Sequence, residues 1–256
     1  MISVTILGSG TSQGVPIIGC KCEVCTSCDK RNKRLRSSVL IENETGESLV
    51  IDAGPDFRYQ MLREGVTNLD SILLTHNHKD HTGGIDDVRS FNYMLRRPMD
   101  IYAEGYVLKS LKNEYHYAFA EHKYPGVPEI TLHEITEAPF SIGNFNIIPI
   151  RGLHHKLPVL GYRIDNFCYI TDMNHISDDE INKMKGIDTL IINALREEKH
   201  ISHFTLSEAL KVIELVSPKK AYLTHISHQL GLYEDVMKKL PEGVELCYDK
   251  LKIKIQ

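Results

Sequence analysis

The chain has 256 residues, 42% of them hydrophobic and 25% charged, which is enough to bury most of its surface around one core. Lys+Arg 30 against Asp+Glu 34 leaves a formal net charge of -4, so no global basic field exists to grip duplex nucleic acid, and an anion must be held locally. No apolar run approaches ~18 residues, so no membrane span or membrane partner is expected. The start MISVTILGSG lacks the basic n-region and long apolar stretch of a signal peptide, which reads as a cytoplasmic protein.

Ile2 to Leu7 is a β-branched-rich strand stopped by Gly8-Ser9-Gly10, and Ser38 to Glu42 with Ser48 to Asp52 form a hairpin around Asn43-Glu44-Thr45-Gly46. Asp56 to Glu64 reads as a helix capped by Gly65. Ser71 to Thr75 is a short, nearly all-apolar strand of the kind covered on both faces. The aromatic, His-rich stretch 115–128 has no clear period and reads as a loop and candidate lid. Asn144 to Arg151, Val159 to Ile164 and Phe167 to Thr171 are strand-like. Ser177 with Glu180 is a capping-box pattern for a short helix, Thr189 to Asn193 is a buried-type strand, and Thr205 with Glu208 is a second box opening a helix to Val216. Ala221 to Thr224 is a further strand, followed by a helix from about Tyr233 to Leu240. No repeat, low-complexity tract or linker interrupts the chain, so residues 1–256 are read as one domain. Strands with helices on both outer faces imply a layered α/β sandwich.

The chemistry concentrates in Thr75-His76-Asn77-His78-Lys79-Asp80-His81, directly after the strand SILL. Three imidazoles and a carboxylate within six residues carry a large desolvation cost unless bonded or metallated, and the donor set suits Zn, Mn or Fe. A lone histidine here would read as a surface turn; the cluster does not. Closing such a site needs ligands from other strand ends, and His155 after FNIIPI, Asp172 after CYIT and His225 after AYLT qualify. Each alone is a plausible turn residue, but their shared placement, one polar ligand after each apolar strand, argues for convergence. Cys20, Cys22, Cys25 and Cys28 fall within nine residues, and so tight a cluster in a reducing compartment favours metal over disulfides.

His-x-His-x-Asp-His followed by a downstream His, Asp and His resembles the metallo-β-lactamase superfamily, in its two-metal hydrolase branch. The resemblance implies a four-layer αβ/βα sandwich with a dinuclear site on one edge. It implies His76, His78 and His155 at one metal, Asp80, His81 and His225 at the other, and Asp172 as the bridging carboxylate. His155 is chosen over His154 because it precedes Gly161-Tyr162 by the family's six and seven residues. GSGTSQGVPIIGCKCEVC, KLPVLGY and THISHQ are together similar to the phosphodiesterases of the carbon–phosphorus lyase pathway, the PhnP family. That likeness implies two divalent ions (Mn2+ or Zn2+) in the active site and one structural Zn2+ held by Cys20, Cys22, Cys25 and His228. Cys28 is the rival fourth ligand; His228 is preferred because four thiolates on so short a loop would strain the backbone. His203, before the helix capped by Thr205, would meet a phosphate oxygen and protonate the leaving group, with His200 as runner-up and Asp172 and Asp80 completing the catalytic set. His175 lies near but is assigned nothing. Asp52 resembles the aspartate that orients metal ligands from behind.

The expected partner is a small phosphodiester, with a cyclic ribose phosphate as first candidate and a homodimer left open. Three readings compete. A thioester or lactone hydrolase would share the ligands without needing the Cys cluster or His203. A tRNA 3′-processing nuclease would add a long basic arm, which is missing. A non-catalytic metal-bound scaffold would normally have lost ligands. An oxygen-reducing di-iron member would carry Glu where His78 stands.

Overall fold

The structure, a computed structural model, describes residues 1–255. From the start the elements run β1 (Ile2–Gly8), α1 (Glu23–Thr26), β2 (Ser38–Asn43), β3 (Ser48–Ile51), α2 (Phe57–Glu64), β4 (Ser71–Leu73), α3 (Lys79–Thr82), α4 (Arg89–Leu95), β5 (Met99–Ala103), α5 (Gly105–Glu114), α6 (His116–Phe119) and β6 (Ile130–Glu134). Next come β7 (Phe140–Ile142), β8 (Phe145–His154), β9 (Leu157–Ile164), β10 (Phe167–Ile170), β11 (His175–Ile176), α7 (Asp178–Met184), β12 (Thr189–Asn193), α8 (Leu206–Val216), β13 (Lys220–Thr224), α9 (Tyr233–Met237), β14 (Val244–Leu246) and β15 (Lys252–Ile255).

These strands build two sheets. One has the order β15-β1-β2-β3-β4-β5-β6; the other is β11-β8-β9-β10-β12-β13-β14 with β7 added on β8. The last strand returns to the first sheet, pairing Ile255 with Ile2. Ile41, Leu49 and Ile51 from one sheet interlock with Tyr162, Tyr169, Ile191 and Tyr222 from the other. The outer face of the first sheet packs on Phe57, Met61, Phe91 and Val107, and that of the second on Met184, Ala209, Val212 and Val236. Helix, sheet, sheet, helix is the four-layer sandwich expected from the alternation of apolar strands and amphipathic helices.

Local sequence explains the elements. The β2–β3 turn is held by the Asn43 side chain, which accepts from Thr45 N (3.1 Å) and Glu47 N (3.0 Å). Helix α8 has a complete capping box between Thr205 and Glu208 and buries Leu206, Ala209, Val212, Ile213 and Val216, a helical period. Ser177 caps α7, but Glu180 turns away from the reciprocal bond and accepts from Arg151 N at 2.8 Å, tying the helix to β8. The stretch 115–128 begins as structure: Tyr115 and Ala118 are buried around α6, and the loop starts only beyond Phe119. Helix α9 ends at Met237, short of Leu240. No helix is long and apolar enough to cross a membrane among the described residues.

Candidate metal centre

Strand ends place the chemistry. β3 delivers Asp52, β4 leads into the segment carrying His76 and His78, and α3 carries Asp80 and His81. From the other sheet, β8 ends at His154, β10 leads to Asp172 and β13 to His225. Asp52, Asp172 and His225 all take left-handed backbone (φ 66, 57 and 55°). Such conformations cost of order 1–3 kcal/mol each and persist only where the surroundings over-determine them, which concentrates strain at this edge. Gly54 is required here, because a Cβ would meet Asp80 O at 1.9 Å. That closeness lets Ala53 N donate to His81 O (2.8 Å) and Gly84 N to Ala53 O (2.8 Å), clamping α3 onto the strand end.

Asp52 sets the tautomers. Its carboxylate accepts from His81 Nδ1 (2.7 Å), from Thr75 N (2.9 Å) and from Thr75 Oγ1 (2.9 Å). Having given its proton to Asp52, the Thr75 hydroxyl accepts from His76 Nδ1 at 3.0 Å. His154 Nδ1 donates to Ser202 O at 2.9 Å. In three histidines, then, the Nδ1–H is spent on a fixed acceptor and the Nε2 lone pair is left for the cluster. His76 Nε2 and His81 Nε2 are buried and make no hydrogen bond, yet His81 Nε2 lies 3.1 Å from Asp80 Oδ2 and 3.2 Å from Asp172 Oδ2. Two carboxylates converging on one imidazole nitrogen demand positive charge at that point, as a proton or as a metal ion, so these residues fit a metal. At the far side, His225 Nδ1 is 3.0 Å from Asp172 Oδ2, while Nε2 meets Thr11 Oγ1 at 3.3 Å.

The donor atoms fall into overlapping groups whose members lie within 4.8 Å of one another: His76, His78 and His154; His76, His81 and Asp172; Asp80, Asp172 and His225; and His154, Asp172 and His203. Asp172 is shared by three of them, the position of a bridging group. Electrostatics reflect this crowding. Burial opposes charge on His81, but Asp172, Asp80 and Asp52 outweigh it and hold its pKa well above normal. Burial and then the charge of His81 hold His76 well below. Burial would raise the Asp80 and Asp172 carboxyls too, yet the imidazoles beside them keep both ionised.

One ligand choice needs correction: His154, not His155, stands with His76 and His78. His154 pairs with Leu157 as the last residue of β8, in phase with the buried Ile150 and Gly152. His155 opens the two-residue turn after β8, exposed, with φ 57° and its own N–H donated to Asn174 Oδ1. Strand period 2 aims His154 inward; the residue after it turns out. His203 is buried, its ring 4.8 Å from that of His225 and 4.7 Å from that of His154, with Nδ1 3.7 Å from Asp172 Oδ1. Burial first, and then the neighbouring His225 ring, lower its pKa to about 3. His200 sits one ring further out, 5.0 Å from His203. His175, on β11, is exposed and joins none of these groups.

A second donor set lies apart. Cys20, Cys22 and Cys25 place their Sγ atoms 3.4, 3.2 and 3.6 Å from His228 Nδ1. A tetrahedron with Zn–S about 2.3 Å and Zn–N about 2.0–2.1 Å has S···N edges near ~3.5 Å, so the four atoms fit such a centre. Cys28 is exposed and outside the group. The backbone N–H of Cys25, with His228, lowers the Cys22 thiol to about 6, whereas burial pushes Cys25 up to about 11. Because His228 comes three residues after His225, the Cys loop is fastened to the segment that carries the last cluster ligand. Residues that sequence reasoning passed over are Thr75 and Ser202, which lock the tautomers, and His154, for which the alternation of β8 was the available signal.

Comparison with known proteins bears on the family and the fold. Residues 47–226 match the β-lactamase superfamily domain. The crystal structure of a new diphosphatase from the PhnP family is 37% identical, with a TM-score of 0.92, covering 98% of this chain and 96% of that one. Zn(2+)-bound PqqB from Methylobacterium extorquens shares the fold at 17% identity and a TM-score of 0.81, over 99% and 100% of the two chains. Among curated proteins, an octanoyltransferase from Porphyromonas gingivalis is 41% identical over 248 residues, 96% of this chain; the chain spans half the length of that relative. The chain belongs to the metallo-β-lactamase superfamily of hydrolases, and within it is similar to the PhnP family.

Proposed function

We propose that this chain is a two-metal phosphodiesterase that hydrolyses a small substrate at a phosphorus carrying two substituents, whether ester or diphosphate. The observation that carries the reading is the shared carboxylate of Asp172, set between two groups of imidazole and carboxylate donors with His203 packed against it. His76, His78 and His154 would hold one ion and Asp80, His81 and His225 the other, with Asp172 common to both. Bound divalent ions, Mn2+ or Zn2+, would supply an acidified water and neutralise charge on the phosphoryl oxygens. Cys20, Cys22, Cys25 and His228 would hold a separate structural Zn2+.

The chain's own part is orientation and proton handling. Asp52, directly and through Thr75, keeps the Nε2 lone pairs of His81 and His76 inward; Ser202 does the same for His154. Water adds to phosphorus, the bond to the leaving oxygen breaks, and that oxygen needs a proton. His203 is the side chain proposed to deliver it. Its low pKa keeps it neutral before substrate arrives, and an anionic phosphodiester alongside favours its charged form. A net-negative chain can serve an anionic substrate because the cations dominate the local field. The diphosphatase of the PhnP family, similar over nearly the whole chain, supports phosphorus as the centre attacked.

A second reading, hydrolysis of an acyl thioester, rests on the octanoyltransferase whose half this chain resembles. A side-by-side screen of diesters, thioesters and lactones with added manganese separates the two. Turnover of bis-p-nitrophenyl phosphate, abolished by Asp172→Ala and slowed by His203→Ala with metal content intact, is the expected result. Thioester turnover without diester turnover would refute the phosphorus reading.

A further inference from the structure

Between β12 and α8 the chain makes a loop, 196–203, whose mouth is closed by Leu195 N to Phe204 O (3.0 Å) and Leu206 N to Arg196 O (2.9 Å). Arg196 is half-buried at its base. Its Nε donates to Glu198 O and one Nη to Lys199 O, each at 3.2 Å, and the other Nη donates to Gln229 Oε1 at 2.6 Å. That occupies three of the five guanidinium N–H groups. Among the described residues no carboxylate pairs with Arg196, whereas the half-buried Arg36, Arg63 and Arg151 each have at least one. Arg34 and Arg163 also lack one, but their donors are spent inside the fold, on Ser9 Oγ and Cys247 O and on the carbonyls of Asp165, Lys183 and Lys185. A cation set on a fixed loop with its charge unanswered is poised for an anion from outside.

His200 stands in the same loop. Its Nδ1 faces Ser202 N and Ser202 Oγ, both at 3.3 Å, so as acceptor from them it carries its proton on Nε2. Its ring extends the line of imidazoles outward from His225 and His154 through His203 to the half-buried rim. Burial first, and then the Arg196 charge, lower the His200 pKa; the guanidinium acts on this ring and no carboxylate is among the causes. Neutral at pH 7, His200 offers an N–H donor beside a fixed cation.

We propose that Arg196 and His200 form a second anion subsite, which holds the non-reacting phosphoryl group of a diphosphate-linked substrate while the phosphorus under attack lies against the cluster and His203. This rests on the phosphodiesterase reading and narrows it to a substrate class: two phosphoryl groups joined by one oxygen, rather than an isolated diester. The remaining guanidinium donors suit phosphoryl oxygens, and an N–H from a neutral ring adds a contact without adding charge.

The test compares bis-p-nitrophenyl phosphate with P1,P2-bis-p-nitrophenyl diphosphate on the metal-loaded full chain, with products separated chromatographically. These probes differ only by the second phosphoryl group. The wild type is expected to favour the diphosphate in kcat/KM, and Arg196→Gln and His200→Gln each to lower the diphosphate-to-diester ratio about tenfold, mainly through KM, as loss of one charge-assisted contact implies. Arg196→Lys should recover part of the ratio, since it keeps the charge and loses the fork. If Arg196 only rivets its loop, both substrates suffer equally and the ratio is unchanged, which overturns the subsite. Diester turnover without any preference for the diphosphate also overturns it, while leaving the phosphodiesterase reading standing. A wild type inert on both probes overturns both.

Discussion

Replacing Asp52 by Asn probes the tautomer argument most closely. The carboxylate is fully buried and accepts from His81 Nδ1 and from both Thr75 donors. An Asn side chain has the same shape, but turned to keep Thr75 N it can present its NH2 to His81, forcing the imidazole proton to Nε2 and removing the lone pair from the cluster. Two opposing effects bear on stability: burial disfavours the Asp52 charge, raising its pKa, while bonds to charged groups contribute ~1.5–3 kcal/mol each. The fold should therefore lose only about 1–3 kcal/mol. The metal loss is larger in consequence: changing the partner behind a ligating histidine costs ~10–100-fold in affinity, or about 1.4–2.8 kcal/mol. Activity titrated against Mn2+ should shift to higher metal by that factor, with folding checked by urea denaturation. An Asp52→Asn protein with unchanged metal dependence would refute the claim that Asp52 orients His81.

Three further outcomes are expected from other parts of the structure. His154→Ala should lower activity by more than ~100-fold, beyond the cost of losing an outer partner, whereas His155→Ala in the exposed turn should leave metal content and kcat/KM near wild type; the reverse pattern contradicts the assignment of β8. Cys22→Ser should remove zinc from the Cys site without emptying the other cluster and lower Tm, about 2–4 °C for each kcal/mol lost; zinc loss with Tm unmoved denies the site a structural role. Glu47 accepts from Asn43 (2.5 Å) on the β2–β3 turn and from Asn144 (2.8 Å) before β8, and the Asn43 bond first, then that to Asn144, hold its pKa at about 2. A carboxyl depressed on folding adds stability that is present above the unfolded value of ~4.3 and lost as pH falls toward 2. Glu47→Gln should accordingly flatten the stability decline between about pH 4 and 2, read by denaturant midpoints, and an unaltered acid limb argues against the tether.

Most of the layered fold was legible because the strands announce themselves: SILL, CYI and TLII are nearly all-apolar runs, as strands buried on both faces must be. The convergence of Asp80, His81, Asp172 and His225 is a consequence of where such strands end. His154 was lost for a definable reason. A spacing rule measured from Gly161-Tyr162 ignores that the β8–β9 hairpin closes with two residues, whereas counting the alternation from Ile150 through Gly152 selects His154. The Cys site was legible in all four of its donors. Spacing gives Cys20, Cys22 and Cys25, the family resemblance and the strain of four thiolates on so short a loop favour His228 over Cys28, and the structure groups His228 with the three cysteines. Thr75, Ser202 and Arg196 could not be read at all. Their roles depend on backbone carbonyls and hydroxyls brought close by tertiary packing, and a sequence carries no period for that. The helix after Tyr115 escaped because its buried side chains, Tyr115 and Ala118, are too few to show a stripe.

Metal stoichiometry, compared between the wild-type chain and its Asp172→Ala and Cys22→Ser variants, bears most directly on the whole account. Three ions per wild-type chain are predicted, with the Asp172 variant keeping the zinc of the Cys site and losing occupancy only in the cluster, and the Cys22 variant doing the opposite. A chain that binds a single ion, or one in which Asp172→Ala leaves the count at three, contradicts the claim that this carboxylate joins two metal positions.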